Sequence, residues 1–155
     1  MKNTEIIIRA MQKDDIDELV SWILESPLWQ RYKLSQETAA NNFQKALKTD
    51  DELIVALSED EICGFAWLQA TGFLKRSPYL KMIGVKQGYQ SLGIGYKLIS
   101  YLEQDKNELF LLVSNFNTSA QKFYKKQGYK QIGTIPNYIL EDVDELIFYK
   151  RLKLV

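Results

Sequence analysis

The 155-residue chain contains no histidine, which excludes Ser-His-Asp and Cys-His catalysis and every zinc site built on imidazole. Any acid or base must then be Asp, Glu, Tyr, Lys, Cys or water. Its one cysteine, Cys63, cannot form an intrachain disulfide, which fits the cytoplasm. Long apolar runs are missing too. Stretches such as Leu109 to Val113 fall far short of the ~20 residues a membrane span needs. Met1 to Glu5 has neither an apolar h-region nor a small-residue cleavage site, so a cytoplasmic location is expected. Neither charge sign dominates. Twenty Lys and Arg face twenty Asp and Glu, with a pI near 6.3. No global field draws the chain to nucleic acid or a membrane, and neither is expected as a partner.

What is present suits one globular unit. With 46% hydrophobic and 26% charged residues, the composition is that of a chain able to bury a core, and its length matches a single domain over residues 1–155. Glu5 to Ala10 reads as a strand, and Asp14 as the cap of a helix whose Ile16, Leu19, Val20, Ile23 and Leu24 share one face until Ser26-Pro27 stops it. Ser35 caps a second helix carrying Ala39, Phe43, Ala46 and Leu47 inward, with Leu34 as its staple. Between them, Trp29 to Tyr32 is either pocket lining or packing.

Strand patterns follow over Glu52 to Ser58, Ile62 to Thr71 and Tyr79 to Val85, the first two joined by a polar turn. A helix spans about Gly93 to Gln104. Leu109 to Val113 reads as a strand buried on both sides. A helix over Thr118 to Lys126 turns Ala120, Phe123 and Tyr124 inward and ends at Gly128. Strands at Tyr129 to Ile135 and Glu145 to Leu152 close the chain. This order predicts an α/β fold, a mixed twisted sheet of six to seven strands with helices on both faces, in which the strands ending at Val85 and Val113 are parallel neighbours.

The stretch with most chemical content is Gln90-Ser91-Leu92-Gly93-Ile94-Gly95, between a strand and the helix it opens. Glycines admit close backbone approach, and the unpaired N–H groups of a first helical turn suit a phosphate. The segment reads as a pyrophosphate cradle, or as a tight turn whose glycines serve packing. Leu98 stands where G-x-G-x-x-G needs its third glycine, and no Gly-Lys-Ser/Thr follows, so dinucleotide and NTP motifs are unsupported.

Val85 through Gly95 resembles the cofactor signature Q/R-x-x-G-x-G/A of the GCN5-related N-acetyltransferases (GNAT), preceded by a strand ending in Val. The series Val113, Asn117, Ala120, Tyr124, Gly128 and Tyr129 is similar to the family's second signature. The specific resemblance covers roughly residues 78–136. It implies a GNAT-like single domain that binds acetyl-CoA as acetyl donor. Ile83, Gly84 and Val85 would meet the pantetheine arm, with the backbone of Ile83 and Val85 pairing to it as an added strand. Gln90, Ser91, Leu92, Gly93, Ile94, Gly95 and Tyr96 would wrap the pyrophosphate. Asn117 would bond to the cofactor, although Asn is also a favoured N-cap with no ligand at all. Tyr124 would protonate the departing thiolate, or simply pack its helix. No metal site is expected.

One position departs from the family pattern. Some members carry a glutamate as general base five residues before the motif asparagine, where this chain has Leu112. Glu25, Glu141 and Asp142 lie near segments that border the acceptor cleft in the family, but each reads first as a solvated surface charge. Cys63 reads as a small buried hydrophobe. Trp29, Tyr32, Trp67 and Tyr138 line an acceptor cleft or fill cores. The expected activity is acetyl transfer to a primary amine of a small molecule, protein or peptide, by direct attack in a ternary complex. A non-catalytic acyl-CoA-binding module is the alternative. The protein is expected as a monomer or homodimer.

Overall fold

In a computed structural model that describes residues 5–153, all seven expected strands form. They are β1 (Ile6–Ala10), β2 (Glu52–Ser58), β3 (Glu61–Phe73), β4 (Ser77–Val85), β5 (Glu108–Ser114), β6 (Lys130–Ile135) and β7 (Glu145–Arg151). They make one mixed sheet in the order β1-β2-β3-β4-β5-β7-β6. Strand β4 pairs in parallel with β5 through Tyr79–Phe110 and Leu80–Leu111, so the predicted parallel neighbours are adjacent. The ladders of β1 with β2, β2 with β3, β5 with β7 and β6 with β7 are antiparallel. The helices are α1 (Ile16–Ile23), α2 (Pro27–Arg31), α3 (Gln36–Ala46), α4 (Ile94–Glu103) and α5 (Thr118–Lys126). Among the described residues no helix is long and apolar enough to cross a membrane.

Two local expectations need correction. Asp14 does not cap α1, because a 3-10 turn over Lys13–Asp15 precedes the helix and Asp14 is exposed. The buried carboxylate is that of Asp15, which accepts the Gln12 N–H at 2.7 Å and both guanidinium nitrogens of Arg9 at 2.7 and 2.9 Å. Nor does Ser26-Pro27 stop α1, which ends at Ile23; Pro27 opens α2 instead. Proline suits that first helical position because the missing N–H would have had no partner there. Ser35 does cap α3, its Oγ accepting the Thr38 N–H at 3.2 Å.

The chain divides into two compact units. One comprises the chain up to Leu68 with Met82–Leu102; the other comprises Gln69–Lys81 and the chain from Glu103 onward. The first is organised by β3. A one-residue bulge there sets Leu57 opposite Ile62 and Ala56 opposite Gly64, leaving Cys63 as the extra residue. The bulge shifts the side-chain alternation, so Ile62, Phe65 and Trp67 all enter one core with Leu53 and Val55 of β2, Leu19 and Ile23 of α1, and Ala39 and Phe43 of α3. Phe65 stands edge-on to Trp22 at 5.9 Å and to Phe43 at 5.8 Å. Gly64, on the opposite face, lies against Ile94 and Leu98 of α4, and a Cβ built there would come within 2.8 Å of the Ile94 side chain. Within this unit helices therefore cover both faces of the sheet.

In the second unit, Leu109, Leu111 and Val113 of β5 are buried, but Phe110 and Leu112 are only half-buried. The strand is thus less enclosed than its unbroken apolar run suggested. Aromatic rings cover the half-buried face: Phe110 stacks on Phe73 at 3.9 Å and lies 4.6 Å from Tyr149. Gly128, at φ +95°, ends α5 as expected, with the Tyr129 N–H reaching back to the Tyr124 carbonyl at 3.0 Å.

Two stability changes follow from these contacts. Asp15→Ala removes the acceptor of three hydrogen bonds and should cost about 1.5–3 kcal/mol by urea unfolding. The Arg9 pair holds the Asp15 carboxyl below its ordinary pKa. Its contribution is therefore complete above the unfolded-chain value of about 4 and disappears as pH falls through the lower folded value. Acid titrations of wild type and variant should converge there. Gly84→Ala would bring a Cβ within 2.6 Å of Phe65 Cε1. Because that ring is held between Trp22 and Phe43, the same assay should register overpacking of about 1–3 kcal/mol.

Candidate active site

The end of β4 and the turn into α4 are built from the first unit alone. Gly84 takes the position over Phe65 where any side chain would collide; strand alternation then turns Ile83 and Val85 to the other face. Past Val85, the Lys86 N–H donates to the carbonyl of Cys63 at 2.8 Å. The carbonyl that anchors the turn thus belongs to the bulge residue. Cys63 itself is fully buried, and desolvation raises its thiol pKa, the state of a packing residue and not of a nucleophile.

Residues 86–89 form a turn closed by the Tyr89 N–H to the Lys86 carbonyl at 3.0 Å. Both ends of it also reach Glu61 at the start of β3: Lys86 Nζ donates to Oε1, and the Tyr89 hydroxyl donates to Oε2 at 2.6 Å. These bonds hold the Glu61 carboxyl below its usual range and raise the Tyr89 phenol. Sequence reading missed this clamp. Glu61 is one of several acids in a polar hairpin, and nothing local links it to a turn 25 residues away. The only available signal was an aromatic residue set in an otherwise polar, glycine-containing turn.

Next comes the candidate cradle. Ser91 and Gly93 have φ values of +70° and +77°, and a Cβ on Gly93 would meet no atom within 4 Å. Gly93 is therefore required by backbone conformation and faces open space. Gln90, Ser91, Leu92 and Gly93 are all exposed, as is the Tyr96 side chain, whereas Ile94 is buried against Gly64. With the Lys97 N–H bonded to the Gly93 carbonyl, Ile94, Gly95 and Tyr96 supply first-turn N–H groups that have no partner within the helix. No acidic residue occurs between Lys86 and Tyr101, where the only charges are Lys86 and Lys97. Open space and first-turn N–H groups without a helical partner, in a segment that itself carries no acidic residue, fit a pyrophosphate.

The remaining predicted residues belong to the second unit. Asn117 caps α5, its Oδ1 accepting the Ala120 N–H at 3.2 Å, which leaves Nδ2 as the group able to donate to a ligand. Gln121 ties the first turns of α5 to the end of β5 through the carbonyls of Ser114 and Asn115, at 3.2 and 3.1 Å. Two turns beyond Asn117, Tyr124 is buried among Phe123, Tyr129 and Phe148. Desolvation raises its phenol pKa well above the ordinary value, with a smaller push from Tyr79, so the hydroxyl keeps its proton at every physiological pH. Tyr129 is raised for the same reason, and its hydroxyl donates to Glu103, which also accepts from Lys150 Nζ at 3.0 Å. That network has a structural purpose: it secures the chain just after α5 to β7.

Leu112 is half-buried in β5, while Glu25, Glu141 and Asp142 are exposed. Trp67 serves the core and Trp29 packs against it, 6.5 Å from the Tyr32 ring; Tyr138 is 59% exposed.

Known proteins share this fold. A GNAT acetyltransferase from Bacillus cereus is 21% identical, with a TM-score of 0.81 over 97% of this chain and 99% of its own. One from Staphylococcus aureus is 25% identical, with a TM-score of 0.75 over 96% and 100%. An aminoglycoside 6'-N-acetyltransferase in complex with coenzyme A is 17% identical, with a TM-score of 0.79 over 96% and 98%. A family model, the acetyltransferase (GNAT) domain, matches residues 49–131, and since that span is more than half of the chain, the protein belongs to the GNAT family of acetyl-CoA-dependent N-acetyltransferases.

Proposed function

We propose that this protein, acting as one N-acetyltransferase domain over residues 1–155, transfers the acetyl group of acetyl-CoA to a primary amine by direct attack in a ternary complex. The observation that carries the reading is the cradle. Ser91 and Gly93 in left-handed conformation, open space before Gly93 and the unpaired first-turn N–H groups of α4 form a surface suited to a diphosphate. In this reading Gln90 to Tyr96 bind the pyrophosphate, and the backbone of Ile83 and Val85 pairs with the pantetheine arm alongside Gly84. Asn117 adds a hydrogen bond from Nδ2.

Tyr124 is the general acid. Its burial keeps the phenol protonated, and the same desolvation would make a nearby thiolate more basic, so proton transfer depends on the difference between the two. An amine must be neutral before it attacks a thioester. Leu112 offers no base, and Glu25, Glu141 and Asp142 are exposed, so either water takes that proton or the amine reacts from its already neutral fraction. The acceptor is an amine-bearing small molecule, protein or peptide, and the enzyme works in the cytoplasm as a monomer or homodimer. Acyl-CoA binding without turnover would need the same cradle; a tyrosine at position 124 favours catalysis, whereas Leu112 in place of the family's glutamate favours the binding module. Release of free thiol from acetyl-CoA over a panel of amines separates the two.

Gly95→Asp should weaken acetyl-CoA binding at least tenfold by titration calorimetry while the far-UV spectrum stays that of the wild type. Unchanged affinity in a folded variant would refute the cradle.

Tyr124→Phe keeps the ring and removes the proton, so kcat should fall roughly 10²–10⁴-fold with little change in acetyl-CoA affinity. The wild-type pH profile should rise toward the acceptor amine's own pKa. It should show no descending limb near pH 10, because burial moves the Tyr124 phenol above its ordinary range.

A further inference from the structure

We propose that Glu61, with Lys86 and Tyr89, is a positioning device that presets the pyrophosphate cradle; this rests on the acetyl-CoA reading above. None of the three is among the residues that define either sequence signature. Yet one carboxylate receives a donor from each end of the four-residue turn that delivers the chain to Gln90: Lys86 Nζ on Oε1 and the Tyr89 hydroxyl on Oε2. A third tie, from the Lys86 N–H to the Cys63 carbonyl, fixes the same turn to the bulge. Glu61 is itself held in place, because its neighbour Ile62 donates its N–H to Glu18 Oε1 of α1 at 3.0 Å. The turn is thereby attached to β3 and, through it, to the helix layer.

The need for such a device follows from what comes after it. Gly88, Ser91 and Gly93 all have positive φ, and Ser91 adopts that conformation without being a glycine, which strains the backbone. The side chains from Gln90 to Gly93 are exposed, so packing does not hold this backbone. A chain so strained and so little packed would spread over several conformers if its approach were free, and a ligand would then have to select one of them. Anchoring residues 86–89 narrows that spread before the diphosphate arrives. An isolated exposed ion pair between Glu61 and Lys86 would be worth little; the shared acceptor and the tyrosine hydroxyl make it a fixed geometry.

The test is donor binding with and without the diphosphate. Glu61→Ala and Tyr89→Phe are titrated with acetyl-CoA and with S-acetylpantetheine, which keeps the thioester and pantetheine arm but has no pyrophosphate. Glu59→Gln on the same hairpin is the control. Glu61→Ala should raise the acetyl-CoA Kd about five- to twentyfold and Tyr89→Phe about three- to tenfold. Affinity for S-acetylpantetheine and kcat at saturating acetyl-CoA should stay within twofold. Glu59→Gln should match the wild type. If both donors weaken equally, or acetyl-CoA binding is unchanged in folded Glu61→Ala, the positioning role is overturned while the cofactor reading stands. Failure of the wild type to bind acetyl-CoA overturns the cofactor reading, and the clamp's role with it.

Discussion

One extra residue in a central strand organises the first unit. Without the bulge at Cys63, Ile62 and Phe65 would fall on opposite faces of β3, and one of them would leave the core formed with α1 and α3. With it, both enter that core, Gly64 is aligned against Ile94 and Leu98 of α4, and the Cys63 carbonyl is turned to the Lys86 N–H. Core packing on one face, helix docking on the other and the anchoring of the turn after β4 thus share a cause. The side chain of Cys63 has a smaller part, its thiol lying 3.4 Å from the Ala56 carbonyl.

The same unit uses glycine in two distinct ways. Gly64 and Gly84 are places where a side chain would strike a neighbour, Ile94 in one case and Phe65 in the other; both are packing constraints. Gly93 meets nothing and owes its identity to its φ of +77°. The distinction bears on function. Glycines required by packing lie within strands β3 and β4, and the glycine required by conformation opens the helix whose first-turn N–H groups have no helical partner, the arrangement an anion needs.

The second unit rests on aromatic packing and a few charged anchors. Phe73, Phe110 and Tyr149 cover the half-buried face of β5, and Glu108 accepts hydrogen bonds from Ser77 at 2.7 Å and Tyr149 at 3.0 Å. Tyr124 and Tyr129 are both buried, and desolvation raises both phenols. Tyr129 spends its hydroxyl on Glu103 and serves structure. Tyr124, two turns beyond the cap at Asn117, is the residue to which the proposed mechanism gives the role of acid.

Periodicity and spacing determined the seven strands, four of the five helices and the α3 cap at Ser35, and resemblance to a family pattern marked the two signatures around Gln90 to Gly95 and Asn117 to Tyr124. Those features depend on neighbours within a few residues, where backbone geometry makes side-chain pattern a direct record of structure. The same local logic failed at Asp14 and Pro27, where a 3-10 turn and a fresh helix start use the same residue types as the cap and stop that were expected. The partial exposure of Phe110 and Leu112, the bulge at Cys63 and the attachment of Lys86 and Tyr89 to Glu61 were left to the tertiary structure. Each is decided by a partner on another strand: Ala56 and Leu57 of β2 across the ladder, Phe73 of β3 over Phe110, and Glu61 of β3 beside the turn. Residues brought together by folding leave no mark in the spacing between them.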